Sequence, residues 1–263
     1  MTLNFLNRTV MILDVLAAQK TIKSAALMET LNISHVTLRK DLTRLEKRGI
    51  VICTHGTVSL DDTSNTGKRM AFNYLLKSKI VKTAAETIEN GDTIMVGPGS
   101  CCALFVEEIA HERRNVTIIT NSTFIANIAS EHTNIKIILL GGYFQPYSQV
   151  ALGPMTIKCA QQFHSDKYFL GADGFIIDKG FTGRDQLQID TALGLAKCAD
   201  NVFVLTESVK FKRRGTCELI QLDKITGVYT DDGIPKEAEA ALIKNNVELF
   251  KVSVTEKLSK WKK

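Results

Sequence analysis

Two groups of residues in this chain could do chemistry. The first is Ser34-His35-Val36-Thr37-Leu38-Arg39-Lys40-Asp41-Leu42, where hydroxyl, imidazole, guanidinium and ammonium groups crowd one short stretch. Leu38, Leu42 and Leu45 fall at i, i+4 and i+7, which predicts a helix with a single apolar stripe turned toward a core. His35, Thr37, Arg39, Lys40 and Arg44 are left on the opposite face, the donor set a helix uses against base edges and phosphates. Ser34 is a natural N-cap, its hydroxyl able to accept an orphan backbone N–H. The second group is Gly99-Ser100-Cys101-Cys102, Thr120-Asn121-Ser122, Gly141-Gly142, Asp173 and Lys210. Glycine loops let amides approach an anion, and with hydroxyls, a carboxylate and an ammonium they form the inventory a phosphorylated polyol needs.

Each group also has a plainer reading. An isolated helix like the first is usually a solvated amphipathic surface. Gly141-Gly142 reads equally as a turn, Asp173 as a helix cap or a partner of Lys210, and Lys210 as part of a solvated basic loop. The surrounding elements separate these readings. Leu6, Val10, Leu13 and Ala17 mark a first helix, Ser24 to Leu31 a short second one, and Asn32-Ile33 a tight turn into the third. That is a helix-turn-helix, whose second member enters the major groove. After Gly49, residues 50–54 are a β-branched run that turns at His55-Gly56 into residues 57–60, a hairpin wing with His55 in its turn.

Charge agrees with this assignment. The chain has 33 Lys and Arg against 28 Asp and Glu, a net +5, and residues 1–60 hold eight of the bases and only four of the acids. The excess therefore sits where counterion release from phosphates would use it. Double-stranded operator DNA is the implied partner.

Beyond the polar, turn-rich Asp61-Asp62-Thr63-Ser64-Asn65-Thr66-Gly67, helix and strand signals alternate. Helices are expected over residues 79–89, 103–111, 124–131, 187–198 and 235–244, the last with Pro235 at its first position. Short apolar strands are expected over residues 93–97, 116–120, 135–140, 168–171, 202–205, 225–229 and 247–252. Such alternation argues for a mainly parallel α/β sheet, with ligand outside the carboxyl ends of the strands, where the second group of residues falls. The organisation expected is a winged helix-turn-helix over residues 1–60, a linker over 61–78 that packs in part on a neighbour, a sensor domain over 79–253 and a basic tail over 254–263.

Several classes are disfavoured. Apolar residues are 44% of the chain, yet no run approaches bilayer length and the first residues lack a secretory pattern, so no membrane partner and a cytoplasmic location are expected. The six cysteines, Cys53, Cys101, Cys102, Cys159, Cys198 and Cys217, show neither disulfide nor zinc spacing. Gly97-x-Gly99 resembles the start of a dinucleotide fingerprint, but Cys102 stands at the third glycine and Asn121 where a ribose-binding acid belongs. No cofactor and no metal are therefore expected.

Residues 3–60 resemble the winged helix of the DeoR family of bacterial transcriptional regulators, marked by Ser-x-x-Thr-hydrophobic-Arg-Arg/Lys-Asp-Leu and then Leu-Glu-x-x-Gly. Ser34, Thr37, Leu38, Arg39, Lys40, Asp41, Leu42, Leu45, Glu46 and Gly49 match. The family usually closes this domain with Arg-x-His-Gly-Gly-Ala; Cys53-Thr54-His55-Gly56-Thr57-Val58 keeps only His and Gly, so the wing carries one charge fewer. The resemblance implies DNA contact by Thr37, Arg39 and Lys40, and Asp41 is read as structural.

The resemblance continues through Gly99-Ser100, Thr120-Asn121-Ser122, Gly141-Gly142, Gly153, Asp173-Gly174, Gly180-Phe181-Thr182 and Ser208-Val209-Lys210-Phe211. It implies a Rossmann-like sensor domain similar in fold to ribose-5-phosphate isomerase and glucosamine-6-phosphate deaminase. In such domains the Gly-Ser loop and the Lys are associated with phosphate and the Asp-Gly loop with the sugar. Where the family commonly has Asp-x-Gly-Thr-Thr-Thr, Gly97 and Cys101-Cys102 stand here, so an anion would rely on backbone amides and Lys210.

The expected function is a nucleoid-associated repressor of a carbohydrate operon, released or retained by a phosphorylated sugar or polyol. A homo-oligomer, dimer or tetramer, is expected because one helix reads too little sequence. The alternative is a sugar-phosphate isomerase or deaminase using Asp173 and Glu207 as an acid–base pair.

Overall fold

The computed structural model describes residues 5–60 and 65–253 of the 263-residue chain. Two compact units result, Met1–Leu75 and Leu76–Lys263.

In the first unit α1 (Phe5–Gln19) is followed by β1 (Thr21–Lys23), α2 (Ser24–Leu31) and α3 (His35–Lys47). A hairpin, β2 (Val51–Thr54) and β3 (Thr57–Leu60), and then α4 (Asn65–Ala71) complete it. α2 ends on Asn32 in the left-handed conformation (φ 51°), which Asn tolerates and which turns the chain sharply into α3. His55 and Gly56 both have positive φ, as the two-residue hairpin turn between Thr54 and Thr57 requires. Ile12, Leu13, Leu16, Leu27, Leu38, Leu45 and Val58 are all but inaccessible to solvent and form one small core.

β1 was not legible in the sequence. It pairs antiparallel with β3, Ile22 opposite Val58, so the wing is a three-stranded sheet in the order β1-β3-β2. Three residues between two helices are too few to show a period of two.

α3 is pinned by a charge pair. Asp41 is 1% exposed, among Leu38, Leu42 and Leu45 on the helix's inner face. It accepts hydrogen bonds from Nε and Nη2 of Arg8 on α1, at 2.5 and 3.1 Å. The hydrogen bond to Asp41 holds the Arg8 guanidinium above its ordinary pKa. This bidentate geometry fixes the rotation of α3 about its axis as well as its position, because planar guanidinium and carboxylate groups mate in one orientation.

The second unit opens with α5 (Tyr74–Ala85) and continues through β4 (Thr93–Val96), α6 (Ser100–Glu112), β5 (Val116–Thr120), α7 (Thr123–Ala129) and β6 (Ile135–Leu139). A hairpin, β7 (Tyr143–Gln145) and β8 (Val150–Leu152), precedes α8 (Pro154–Ala160) and β9 (Ser165–Leu170). Then come β10 (Gly174–Ile176), β11 (Gly180–Gly183), α9 (Gln186–Ala196), β12 (Ala199–Leu205), β13 (Cys217–Ile220), β14 (Gly227–Asp231), α10 (Lys236–Lys244) and β15 (Glu248–Val252). Seven strands form a parallel sheet in the order β15-β14-β12-β9-β4-β5-β6. The chain steps outward from β4 to β6, then returns to lay β9 against the other side of β4 and steps outward again to β15. The reversal makes β4 and β9 the switch point, the place where open α/β sheets bind ligands beyond the strand ends.

The seven expected strands are the seven of this sheet. Two further β elements had not been expected, the β7-β8 hairpin and a second sheet β10-β11-β13 whose strands are antiparallel. Their strands are three or four residues long, and β11 meets β13 only after a long detour of chain, so no local pattern reveals them.

Three sequence expectations are corrected. Residues 61–64 and 254–263 lie outside the described residues, but residues 65–71 and 74–78 of the expected linker are helical. Met70, Ala71, Tyr74 and Lys77 are buried there, so burial overrode the turn composition. The helix expected at 79–89 consequently begins at Tyr74. Pro235 is the N-cap of α10, with ψ 138°, rather than its first turn.

Arg8→Met leaves the Asp41 carboxylate buried without its guanidinium and should destabilise the protein by about 3 kcal/mol, most of it recovered by adding Asp41→Leu. Urea unfolding followed by circular dichroism of the single and double variants checks this. A second expectation concerns acid. Asp185 caps α9, accepting the Gln188 N–H at 3.0 Å and the Gln145 side-chain amide at 2.9 Å; the Gln145 bond, foremost, holds its carboxyl below the ordinary value. A depressed folded pKa stabilises above the unfolded value, near pH 4, and that contribution fades as pH falls through the folded value. Asp185→Asn should therefore flatten the stability profile below about pH 4, as thermal melts across an acid series would show.

Candidate functional sites

The first candidate site is the outer face of α3. Ser34 caps the helix, its Oγ accepting the Thr37 N–H at 3.2 Å and lying 2.9 Å from the Thr37 hydroxyl. His35, Arg39, Lys40 and Arg44 are exposed, as is His55 in the hairpin turn between β2 and β3. Arg39 and Lys40 have no hydrogen-bond or ion-pair partner among the described residues. The structure thus places Ser34, His35, Thr37, Arg39, Lys40 and Arg44 on one helix, with the helix's positive dipole end leading. Sequence reasoning passed over Val36, which is 62% exposed beside His35. The available signal was an apolar residue outside the Leu38, Leu42, Leu45 stripe, the kind of group that packs on a thymine methyl.

The wing joins the end of α3 through Glu46, whose Oε1 accepts the Cys53 N–H at 2.9 Å. Partial burial, with the Glu46 charge behind it, pushes the Cys53 thiol up to about 11, so this wing position is neutral.

The second candidate site is the switch point of the sheet. The loop after β4 is tied to β9 by Gly97 N–H donating to the Phe169 carbonyl at 2.8 Å. Gly99 has φ 138°, and a Cβ there would lie 3.8 Å from the Gly171 Cα, so the loops after β4 and β9 run against each other. α6 starts from Gly99, so its first-turn amides and the positive end of its dipole lie at the loop that follows β4. Asp173, half-buried, stands in the β9 loop, its N–H donating to the Thr182 carbonyl at 3.0 Å. Lys210, half-buried, lies in the short 3-10 turn Ser208–Lys212 after β12, the neighbour of β9. Asp231 braces that turn by accepting the Ser208 N–H at 2.7 Å.

The remaining expected ligand residues are placed differently. The Cys101 and Cys102 side chains are buried, and the Cys102 thiol points at the Phe169 carbonyl 3.9 Å away. Thr120 and Ser122 are buried at the end of β5; Thr120 Oγ1 accepts the Ser122 N–H, and Ser122 Oγ caps α7. Asn121 donates its amide to the Ala151 carbonyl at 2.9 Å, while its Oδ1 is buried without a partner. Gly141 and Gly142 follow β6 at the sheet edge, two strands beyond β4, and Gly142 is required by close approach to Thr156 and the Leu152 carbonyl. A surface groove of about 390 Å³ along Phe175–Asp178, Phe211–Arg214 and α10 contains none of the expected ligand residues.

Sequence reasoning also missed Lys77. It lies on α5, 2% exposed, with its Nζ 3.3 Å from Glu207 Oε2 at the end of β12. Nothing in its local sequence separates it from the other lysines of residues 77–82, since only the fold decides which turns inward.

Two family models match this chain. Residues 8–64 match the family model described as DeoR-like helix-turn-helix domain, and residues 72–232 that described as DeoR C terminal sensor domain. The glycerol-3-phosphate regulon repressor of Escherichia coli is 26% identical over 244 residues, covering 90% of this chain and 95% of that one. The lactose phosphotransferase system repressor of Staphylococcus epidermidis is 27% identical over 220 residues, 81% of this chain and 86% of that one. Among solved structures, ribose 5-phosphate isomerase A of Methanocaldococcus jannaschii aligns at 20% identity with a TM-score of 0.40, over 53% of this chain and 55% of that one. The chain belongs to the DeoR family, a DNA-binding transcriptional regulator in which a helix-turn-helix domain precedes a C-terminal sensor domain.

Proposed function

We propose that this regulator represses a carbohydrate operon by laying α3 in the major groove of its operator and leaves when a phosphorylated sugar or polyol fills the β4–β9 crevice. The observation that carries the reading is the pairing of two independent sites in one chain. A buried salt bridge orients a cationic helix, and the loops that carry Gly99–Cys102, Asp173 and Lys210 follow three neighbouring parallel strands, β4, β9 and β12. Ser34, His35, Thr37, Arg39, Lys40, Arg44 and His55 are the proposed DNA contacts. The proposed effector contacts are the amides of Gly99, Ser100, Cys101 and Cys102 with Asp173 and Lys210; Thr120, Asn121, Ser122, Gly141 and Gly142 shape the strand ends beside them. Effector and operator oppose one another equally, because a ligand that weakens DNA binding is itself weakened by DNA.

An isomerase reading lacks support at the acid–base pair. Glu207, the second carboxylate of that pair, is committed to Lys77 in a buried ion pair. Pairing of copies is supported by apolar side chains left exposed on and beside the β7-β8 hairpin, Tyr143, Phe144 and Tyr147 among them, and by operators that repeat half-sites. Among the described residues no helix is long and apolar enough to cross a membrane, which fits work on cytoplasmic DNA.

Arg39→Ala should cost about 1 to 3 kcal/mol at the cognate operator alone, whereas Lys40→Ala should weaken all sequences alike and lower the salt slope by about one. Gel shifts on operator and scrambled DNA across a salt series separate the two. At the other site, glycerol 3-phosphate, ribose 5-phosphate or inorganic phosphate should raise the melting temperature of the wild-type protein, and Lys210→Ala should abolish that rise. Unchanged shifts in Lys210→Ala would remove the lysine from the site.

A further inference from the structure

Tyr168 carries a hydroxyl that the packing of the sheet does not need. It sits on β9 opposite Met95 of β4, so its ring lies on the same face as Met95 and, two residues further, the side-chain direction of Gly97. The ring is inaccessible to solvent within a cluster that includes Met95, Ile119, Leu140 and Leu170. Phenylalanine would fill that space without burying a polar group. Yet the phenol oxygen is buried with no hydrogen-bond partner among the described residues. It is aimed at the strand end: a Cβ built on Gly97 would lie 2.7 Å from it. Glycine at 97 is therefore what leaves room for the hydroxyl, and the freedom used is space, since Gly97 is not in the left-handed region.

The location is the switch point itself. Gly97 opens the loop that leads to Gly99 and α6, and the Cys102 thiol in the first turn of α6 lies 3.9 Å from the carbonyl of Phe169, the residue after Tyr168. Burial, foremost, pushes the phenol above its ordinary value, so at physiological pH it stays protonated and neutral. A neutral O–H with no internal acceptor is a donor awaiting one, and a ligand oxygen or an ordered water is the usual answer to such an orphan. A charged carboxylate in this space would repel an anion; a phenol does not.

We propose that the Tyr168 hydroxyl forms the floor of the effector site, filling the volume vacated at Gly97 and donating to a phosphoryl or hydroxyl oxygen of an anionic ligand, directly or through one water. The assignment rests on the sensor reading above and names the group that selects for an acceptor oxygen at the switch point. It also makes Gly97 and Tyr168 one unit, because any side chain at 97 must displace the hydroxyl.

The test uses the full-length protein and three probes, inorganic phosphate, glycerol 3-phosphate and ribose 5-phosphate, titrated calorimetrically. Tyr168→Phe is expected to weaken binding tenfold or more while the melting temperature of the ligand-free protein stays or rises. Loss shared by all three probes assigns the donor to the phosphoryl group, and loss confined to the two esters assigns it to the carbon skeleton. Tyr168→Phe binding all three probes as tightly as wild type overturns the proposal. Gly97→Ala gives an independent reading that leaves the ring in place: its methyl should push the hydroxyl aside and weaken binding, with no further loss when Tyr168→Phe is already present. Wild-type affinity in Gly97→Ala likewise overturns it. A wild-type protein that binds none of the probes overturns the phosphate-sensor reading itself, and this assignment with it.

Discussion

A parallel sheet whose chain reverses its direction of growth must leave two neighbouring strands with their following loops parting to opposite faces. Here those strands are β4 and β9. The surroundings of the proposed effector site follow from this placement. It brings Gly97–Gly99 against Gly171, puts the start of α6 just beyond the end of β4, and sets Lys210 one strand further along. On the far side of β4, Thr120 Oγ1 and Ser122 Oγ are taken up by backbone N–H groups and the Asn121 amide by the Ala151 carbonyl.

Buried charge does the equivalent work elsewhere. In the small unit a core of short helices could accept α3 in several rotations, since Leu38, Leu42 and Leu45 form a forgiving stripe. Arg8 and Asp41 remove that freedom, because an unpaired buried carboxylate is far costlier than a slightly different packing of leucines. The outward direction of Arg39 and Lys40 follows from the inward direction of Asp41. Lys77 and Glu207 form a similar pair in the larger unit, clamping α5 to the end of β12 immediately before the turn that carries Lys210. Both pairs specify an orientation that hydrophobic burial alone leaves loose.

The elements with strong local patterns were legible in advance. α3 announced itself by a cap, a stripe and a terminating glycine, β5 by an unbroken β-branched run, and β4 and β6 by short, mostly apolar runs between turn residues. Elements that depend on distant partners were not. β1 exists because β3 offers it an edge, and β13 because β11 does; neither has enough residues to carry a pattern of its own. The polar stretch beginning at Asp61 read as linker, yet from Asn65 onward it is helical because Met70, Ala71 and Tyr74 find buried positions.

The sequence by itself determined the identity of the parts: a capped cationic helix, a small wing, an α/β body with glycine loops at its strand ends, and the residue types available at each. These are local properties, set by spacing along the chain and by backbone preference. Only the tertiary structure decided which polar groups face a crevice and which are consumed holding the fold together. Ser122 became a cap, Glu207 a partner for Lys77, and the Tyr168 hydroxyl an orphan beside Gly97. Those outcomes depend on strand order and on burial, which bring together residues tens of positions apart, and no local pattern encodes such a meeting.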